Sequence, residues 1–122
     1  MTHSITASLM TVVLLAPLSA APGAVQDDDV PRLRARVYPT RAYVRVESLV
    51  LPAEENRSLE IVAESSAYYR SSLIELEGDR APRLHTVEFR AVPPGRYEVR
   101  VAIKDGGGDV RAISYHRVMV IG

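Results

Sequence analysis

The sequence predicts an all-β protein, a seven-stranded antiparallel sandwich, on three observations. Short runs rich in β-branched and aromatic residues recur roughly every 10–15 residues after residue 30, a spacing that favours a sandwich or barrel. Within the clearest runs apolar and polar residues alternate with the period of two that a half-buried strand requires. Clusters of Pro, Gly, Asn and Asp separate the runs, and no helical period of apolar positions is visible there.

The expected strands are Leu33–Tyr38, Tyr43–Leu49, Ser58–Glu64, Tyr69–Leu76, Leu84–Ala91, Arg96–Lys104 and Val110–Ile121. In the second, Val44, Val46 and Val50 form the inward set, with Arg45 and Glu47 outside. In the third, Leu59, Ile61 and Ala63 oppose Glu60 and Glu64. In the fifth, Val87 and Phe89 turn in while His85, Glu88 and Arg90 turn out. The sixth is the strongest: Tyr97, Val99, Val101 and Ile103 point one way, and Arg96, Glu98, Arg100 and Lys104 the other. One face buried and one wet is the mark of an antiparallel strand with a solvated side. The connection Pro93-Pro94-Gly95 forces a tight reversal into that strand. Lys104-Asp105-Gly106-Gly107-Gly108-Asp109 reads as the last hairpin, its glycines, Gly106 and Gly107 foremost, supplying positive φ and its aspartates capping the turn.

Ahead of the strands, residues 4–25 carry no Asp, Glu, Lys or Arg. The apolar run Leu9–Ala16 has the length of a signal-peptide core, and the small residues Ser19, Ala20, Ala21, Gly23 and Ala24 offer a cleavage region. Residues 1–24 are therefore expected to be a signal peptide, 25–32 a polar leader containing Asp27-Asp28-Asp29, and 33–122 the folded domain. The rival, an uncleaved anchor, suffers from Pro17 and Pro22 and from an apolar core shorter than the roughly 20 residues of a spanning helix. The expected product is exported, periplasmic or extracellular, and not inserted in the membrane once the signal is cut.

Composition excludes several function classes. Basic and acidic residues number 15 each, and the arginines are spread rather than clustered, so no basic field recruits nucleic acid. Cysteine is absent, which removes disulfides, thiolate metal sites and a Cys nucleophile. The fold must then rest on its hydrophobic core, which a 47% apolar composition can supply. After signal removal the histidines are His85 and His116, on different expected strands, and imidazole metal sites need more converging ligands. Ser71 with His116 and a carboxylate is the best serine constellation available, without a Gly-x-Ser-x-Gly elbow. Asp27–Asp29, and Asp105 with Asp109, lack the spacing of an EF-hand loop, and whether calcium binds is left open. Asn56-Arg57-Ser58 matches the N-glycosylation pattern. No cofactor, metal or catalytic residue is expected, and the chain is read as a non-enzyme.

The segment Val92-Pro93-Pro94-Gly95-Arg96-Tyr97-Glu98-Val99-Arg100-Val101 resembles the approach to the penultimate strand of fibronectin type III, PKD-like and carboxypeptidase-regulatory-like domains. Asn56–Ile61 together with Tyr68–Ser72 is similar to small exported bacterial immunoglobulin-like domains. The resemblance implies an immunoglobulin-like or fibronectin type III-like sandwich in which Tyr97 is structural, its ring in the core and its hydroxyl on nearby backbone, with Pro94 and Gly95 shaping the turn. The Trp common in an early strand of such domains is missing. A fold of this kind carries no activity of its own.

Among surface features the tyrosines stand out. Ser65-Ser66-Ala67-Tyr68-Tyr69-Arg70-Ser71-Ser72 has the Tyr/Ser/Arg chemistry of a protein-contact surface. Tyr68, Tyr69, Arg70 and Ser72 are the expected partner contacts, with the provision that adjacent strand residues face opposite sides. The expected function is a binding module for a cell-envelope protein. The alternatives are a carbohydrate-binding module using exposed tyrosines and a purely structural domain. The oligomeric state is left open.

Overall fold

The alternating runs become seven strands in the computed structural model, which describes residues 32–122. The expected signal peptide and all of the leader but Arg32 lie outside the described residues. The strands are β1 (Leu33–Thr40), β2 (Tyr43–Val50), β3 (Ser58–Glu64), β4 (Tyr69–Glu75), β5 (Leu84–Arg90), β6 (Gly95–Lys104) and β7 (Val110–Val120), with one 3₁₀ turn at Gly78–Arg80. They form two antiparallel sheets, β1-β2-β5 and β4-β3-β6-β7.

β1 runs two residues further than expected, through Pro39. Proline removes a ladder donor and is tolerated on an edge strand; β1 is such an edge, and Pro39 sits opposite Val44.

The core lies between the sheets. Val44, Val46, Val50 and Phe89 enter it from the three-stranded sheet, and Leu59, Ile61, Ala63, Tyr97, Val99, Val101, Ile103 and Val120 from the other. Alternation of burial is unbroken on β2, and on β3 and β6 it is broken only at Val62 and Ala102, which are buried as well. All three strands have a neighbour on both sides. Each fully buried aliphatic or aromatic side chain contributes about 1.5–3 kcal/mol. The expected inward sets of β2, β3 and β6 are the buried ones. On β5 the reading of His85 is corrected: it pairs with Ser48 on the same parity as Val87 and Phe89, so it belongs to the inner side, and its Nε2 contacts Pro82 O at 2.8 Å.

Ser48 is fully buried between Ala35 and His85, and its hydroxyl has no hydrogen-bond partner. An unpaired buried hydroxyl costs about 1–3 kcal/mol in desolvation. Ser48→Ala is therefore expected to raise stability by about 1 kcal/mol, read as a higher urea midpoint at unchanged slope.

Two connections fix the ends of the sandwich. Tyr97 is 2% exposed, and its hydroxyl donates to Pro93 O at 2.7 Å across the reversal that holds Pro94 and Gly95. Gly95 has φ +153°, which favours glycine there. In the β6–β7 hairpin the positive φ falls on Gly108 (+88°) and not on Gly106 or Gly107. The reason is Asp105: its Oδ1 accepts from Gly107 N at 2.9 Å and Asp109 N at 3.0 Å, so the aspartate shapes the early turn and leaves the left-handed residue for last.

At the same end Asn56 is 3% exposed. Its Nδ2 donates to Leu51 O at 3.1 Å, and its Oδ1 accepts from Arg111 Nε at 3.0 Å. Arg111 is the extra residue of a β-bulge, since Ile103 faces Ala112 and Lys104 faces Val110. A bulge re-aims a side chain, and here the guanidinium turns onto the β2–β3 loop. In the folded protein the Asn56 amide is committed to these bonds, away from any glycosylation chemistry.

Candidate interaction surface

The expected contact residues divide between two faces. Pairing of Ala63 with Arg70 and Ile61 with Ser72 places Arg70 and Ser72 on the inner side of β4, and Tyr69 on the outer. Tyr68 precedes β4 and packs edge-on against Tyr97, with ring centroids 6.0 Å apart and planes at 80°. Arg70 Nη1 donates to Tyr68 Oη at 3.2 Å and to Arg90 O at 3.0 Å, and its guanidinium lies 5.9 Å from the Phe89 ring centroid. Tyr68 and Arg70 thus close the side of the sandwich between β4 and β5. Tyr69, 57% exposed, is the member of the group that presents its ring to solvent.

The outer face of the four-stranded sheet gathers more than the sequence reading selected. By register, β4 contributes Tyr69, Ser71 and Leu73, β3 contributes Val62, β6 contributes Arg100 and Ala102, and β7 contributes Ile113, Tyr115 and Met119. Val62 and Ala102 are buried although they point outward, because flanking side chains cover them. Tyr69, Leu73, Ile113, Tyr115 and Met119 remain exposed. The signal that was available is the β7 alternation Ile113, Tyr115, Arg117, Met119. Both faces of that run carry apolar groups, and only the pairing with β6 tells which set is outside.

The charges on this face are largely neutralised in place. Arg100 Nη1 lies 2.8 Å from Glu64 Oε1 and 3.2 Å from Glu98 Oε1, and Lys104 Nζ lies 2.9 Å from Glu60 Oε1. The hydrogen bond to Glu64, helped by Glu98 and opposed by desolvation, holds Arg100 still more firmly protonated than usual. Exposed pairs of this kind contribute little stability; their effect is to fix side chains beside the apolar ones. Arg96 and Arg117 form no ion pair among the described residues. They flank Met119 in a shallow hollow of about 470 Å³ that Glu64 and Glu98 also line.

The chemistry of the histidines is confined to the inner side. Ser71 lies on the outer face of β4 and His116 on the inner parity of β7, at opposite edges of the sheet, so the serine constellation suggested by sequence does not assemble. His116 Nε2 instead meets Ser114 Oγ at 2.7 Å. No group of three or more His, Asp or Glu side chains suited to a metal ion occurs among the described residues.

No family model matches the chain, and no curated protein matches it. Among solved structures it is similar to a family 76 glycoside hydrolase from a bovine Bacteroides thetaiotaomicron strain, with a TM-score of 0.55 at 15% identity. The match covers 72% of this chain and 20% of that one, so the chain spans about a fifth of the enzyme's length. At this identity the likeness is one of fold.

Proposed function

We propose that this is an exported, non-catalytic binding module whose contact surface is the outer face of the β4-β3-β6-β7 sheet and whose partner is a protein of the cell envelope. The observation that carries the reading is the collection of Tyr69, Leu73, Ile113, Tyr115 and Met119, all exposed, on one face over the filled positions Val62 and Ala102. Exposed apolar and aromatic groups stand at both edges of this face with paired charges between them, and Tyr, Met and Arg are the residues enriched in protein interfaces. Export rests on the Leu9–Ala16 run. The finer fold assignment, fibronectin type III-like, rests on the Tyr97 corner and on β4 pairing with β3. In the constant-type immunoglobulin order the fourth strand stays with the first sheet.

The test is capture from an envelope extract on the immobilised protein, followed by affinity measurement with the retained protein. Tyr115→Ala and Met119→Ala are each expected to weaken binding about tenfold, or about 1.4 kcal/mol, with unfolding curves unchanged. Leu84→Ala, on the other sheet, is expected to leave binding as it was. Equal affinity for all three variants would remove the assigned surface.

A second reading, a carbohydrate-binding module, is favoured by Tyr69 and Tyr115 standing at opposite edges of one sheet face, and by the glycoside hydrolase to which a stretch of this chain is similar in fold. Retention on insoluble polysaccharide, lost in Tyr69→Ala and Tyr115→Ala, would select it.

A further inference from the structure

We propose that β4 is a strand-pairing edge through which two copies of this chain join, antiparallel, about a two-fold axis at Ser71. An unpaired edge is a template for another strand, and natural sandwiches guard their edges. Three of the four edges here are guarded. β1 carries Pro39 and lies alongside β7, with Arg32 reaching Arg111 O at 3.4 Å and Ala42 N donating to Ile121 O at 3.1 Å. β7 is further interrupted by the bulge at Arg111. β5 has its outermost carbonyl, that of Arg90, taken by Arg70. Its outward side chains include the charged pair Glu88 and Arg90, 2.7 Å apart.

Among the described residues β4 has no proline, glycine, lysine or bulge. An inward charge is itself a guard, but the one on β4, Arg70, is already bonded to Tyr68 Oη and Arg90 O. Main-chain bonds from Ser65 N to Tyr68 O and from Leu76 N to Arg57 O show that the even-numbered residues direct their backbone at β3. Antiparallel alternation then turns the N–H and C=O of Tyr69, Ser71 and Leu73 to the open edge. The same three residues point their side chains out from the sheet, with Tyr69 57% and Leu73 63% exposed.

A second β4 satisfies this edge in one register above others. With Ser71 opposite Ser71 of the second copy, Tyr69 faces Leu73 and Leu73 faces Tyr69, so each exposed apolar side chain covers the other. Aromatic–aliphatic cross-strand pairs of this type are favourable. Arg70 faces Ser72, no like charges meet, and every outward N–H and C=O of Tyr69, Ser71 and Leu73 gains a partner. Shifting the axis to Ser72 sets Tyr69 against Glu75 and Leu73 against Ser71, and loses the match. The result is one continuous eight-stranded sheet. The pairing covers Tyr69 and Leu73 of the proposed contact face and leaves Ile113, Tyr115 and Met119 on β7 exposed, so failure of the cross-linking would not by itself remove the envelope partner.

The chain has no cysteine, so a single introduced thiol reports cleanly. In the purified protein Ser71→Cys sits about 5.5 Å from its counterpart by Cα in a hydrogen-bonded antiparallel pair. A short bis-maleimide is expected to convert it to covalent dimer. Glu75→Cys, on the same strand but far from its counterpart in this register, and Thr86→Cys, on β5, are expected to form no covalent dimer. Adding Leu73→Lys to the Ser71→Cys protein should cut cross-linking at least tenfold, while circular dichroism shows the fold intact. The unmodified protein is expected to sediment as a concentration-dependent dimer. Sedimentation as a monomer throughout would overturn the proposal. So would equal cross-linking at all three positions, or cross-linking indifferent to Leu73→Lys.

Discussion

Tyr97→Ala is expected to cost the domain about 3–5 kcal/mol, the range for truncating a buried aromatic side chain. Tyr97→Phe is expected to cost about 1 kcal/mol, the net worth of one hydrogen bond. The two substitutions separate what the residue does. Its ring fills the core beneath β6 and receives the edge of Tyr68. Its hydroxyl ties Pro93 O at 2.7 Å and so pins the crossing from the first sheet to the second. Urea unfolding followed by circular dichroism gives both numbers. If the phenylalanine protein is as unstable as the alanine one, the hydroxyl bond and not the packing carries the corner.

Asn56→Ala is the second large loss, expected at about 2–3 kcal/mol. It deletes a donor to Leu51 O and an acceptor from Arg111, and leaves both partners in a site that is 3% exposed. Stranded buried groups cost more than the bonds themselves contribute. Asn56→Asp keeps the acceptor and strengthens its attraction for Arg111, but it places a carboxylate against the Leu51 carbonyl. It is expected to recover part of the loss, and the order Asn, Asp, Ala in thermal midpoint is the check. An Ala protein as stable as the Asp protein would show that Arg111 finds equal company elsewhere, with Glu55 at 3.7 Å the nearest carboxylate.

The strands were legible because burial on a two-sheet fold imposes a period of two, and β3 runs Ser58–Glu64 as the alternation predicts. Ends were less legible. Pro39 reads as a stop, yet it is harmless on an edge, and whether a strand is an edge is decided by partners distant in sequence. The glycine turn was legible as a turn, but the division of labour within it depends on which backbone N–H groups the Asp105 carboxylate reaches.

The contact surface was the hardest to read. Tyr68 to Ser72 has the right chemistry, but the sequence does not tell which parity of β4 faces inward. An arginine on the inner side runs against simple expectation. It is accommodated because β4 borders the open flank of the sandwich, where the guanidinium finds Tyr68 Oη and Arg90 O. Once that parity is set, Tyr69 and Leu73 are outside, and β7 completes a face whose members come from segments some forty residues apart.

The left-handed alanine between β1 and β2 ties the order of assembly to the fold. Ala42, at φ 52°, adopts a conformation unfavourable for an L side chain. It is held there by its N–H on Ile121 O and by Val92 N on its own carbonyl. The turn of the β1–β2 hairpin is thus secured only by residues at the far end of the domain. Contacts this distant in sequence close slowly, so the β1–β2 turn is expected to be secured late in folding.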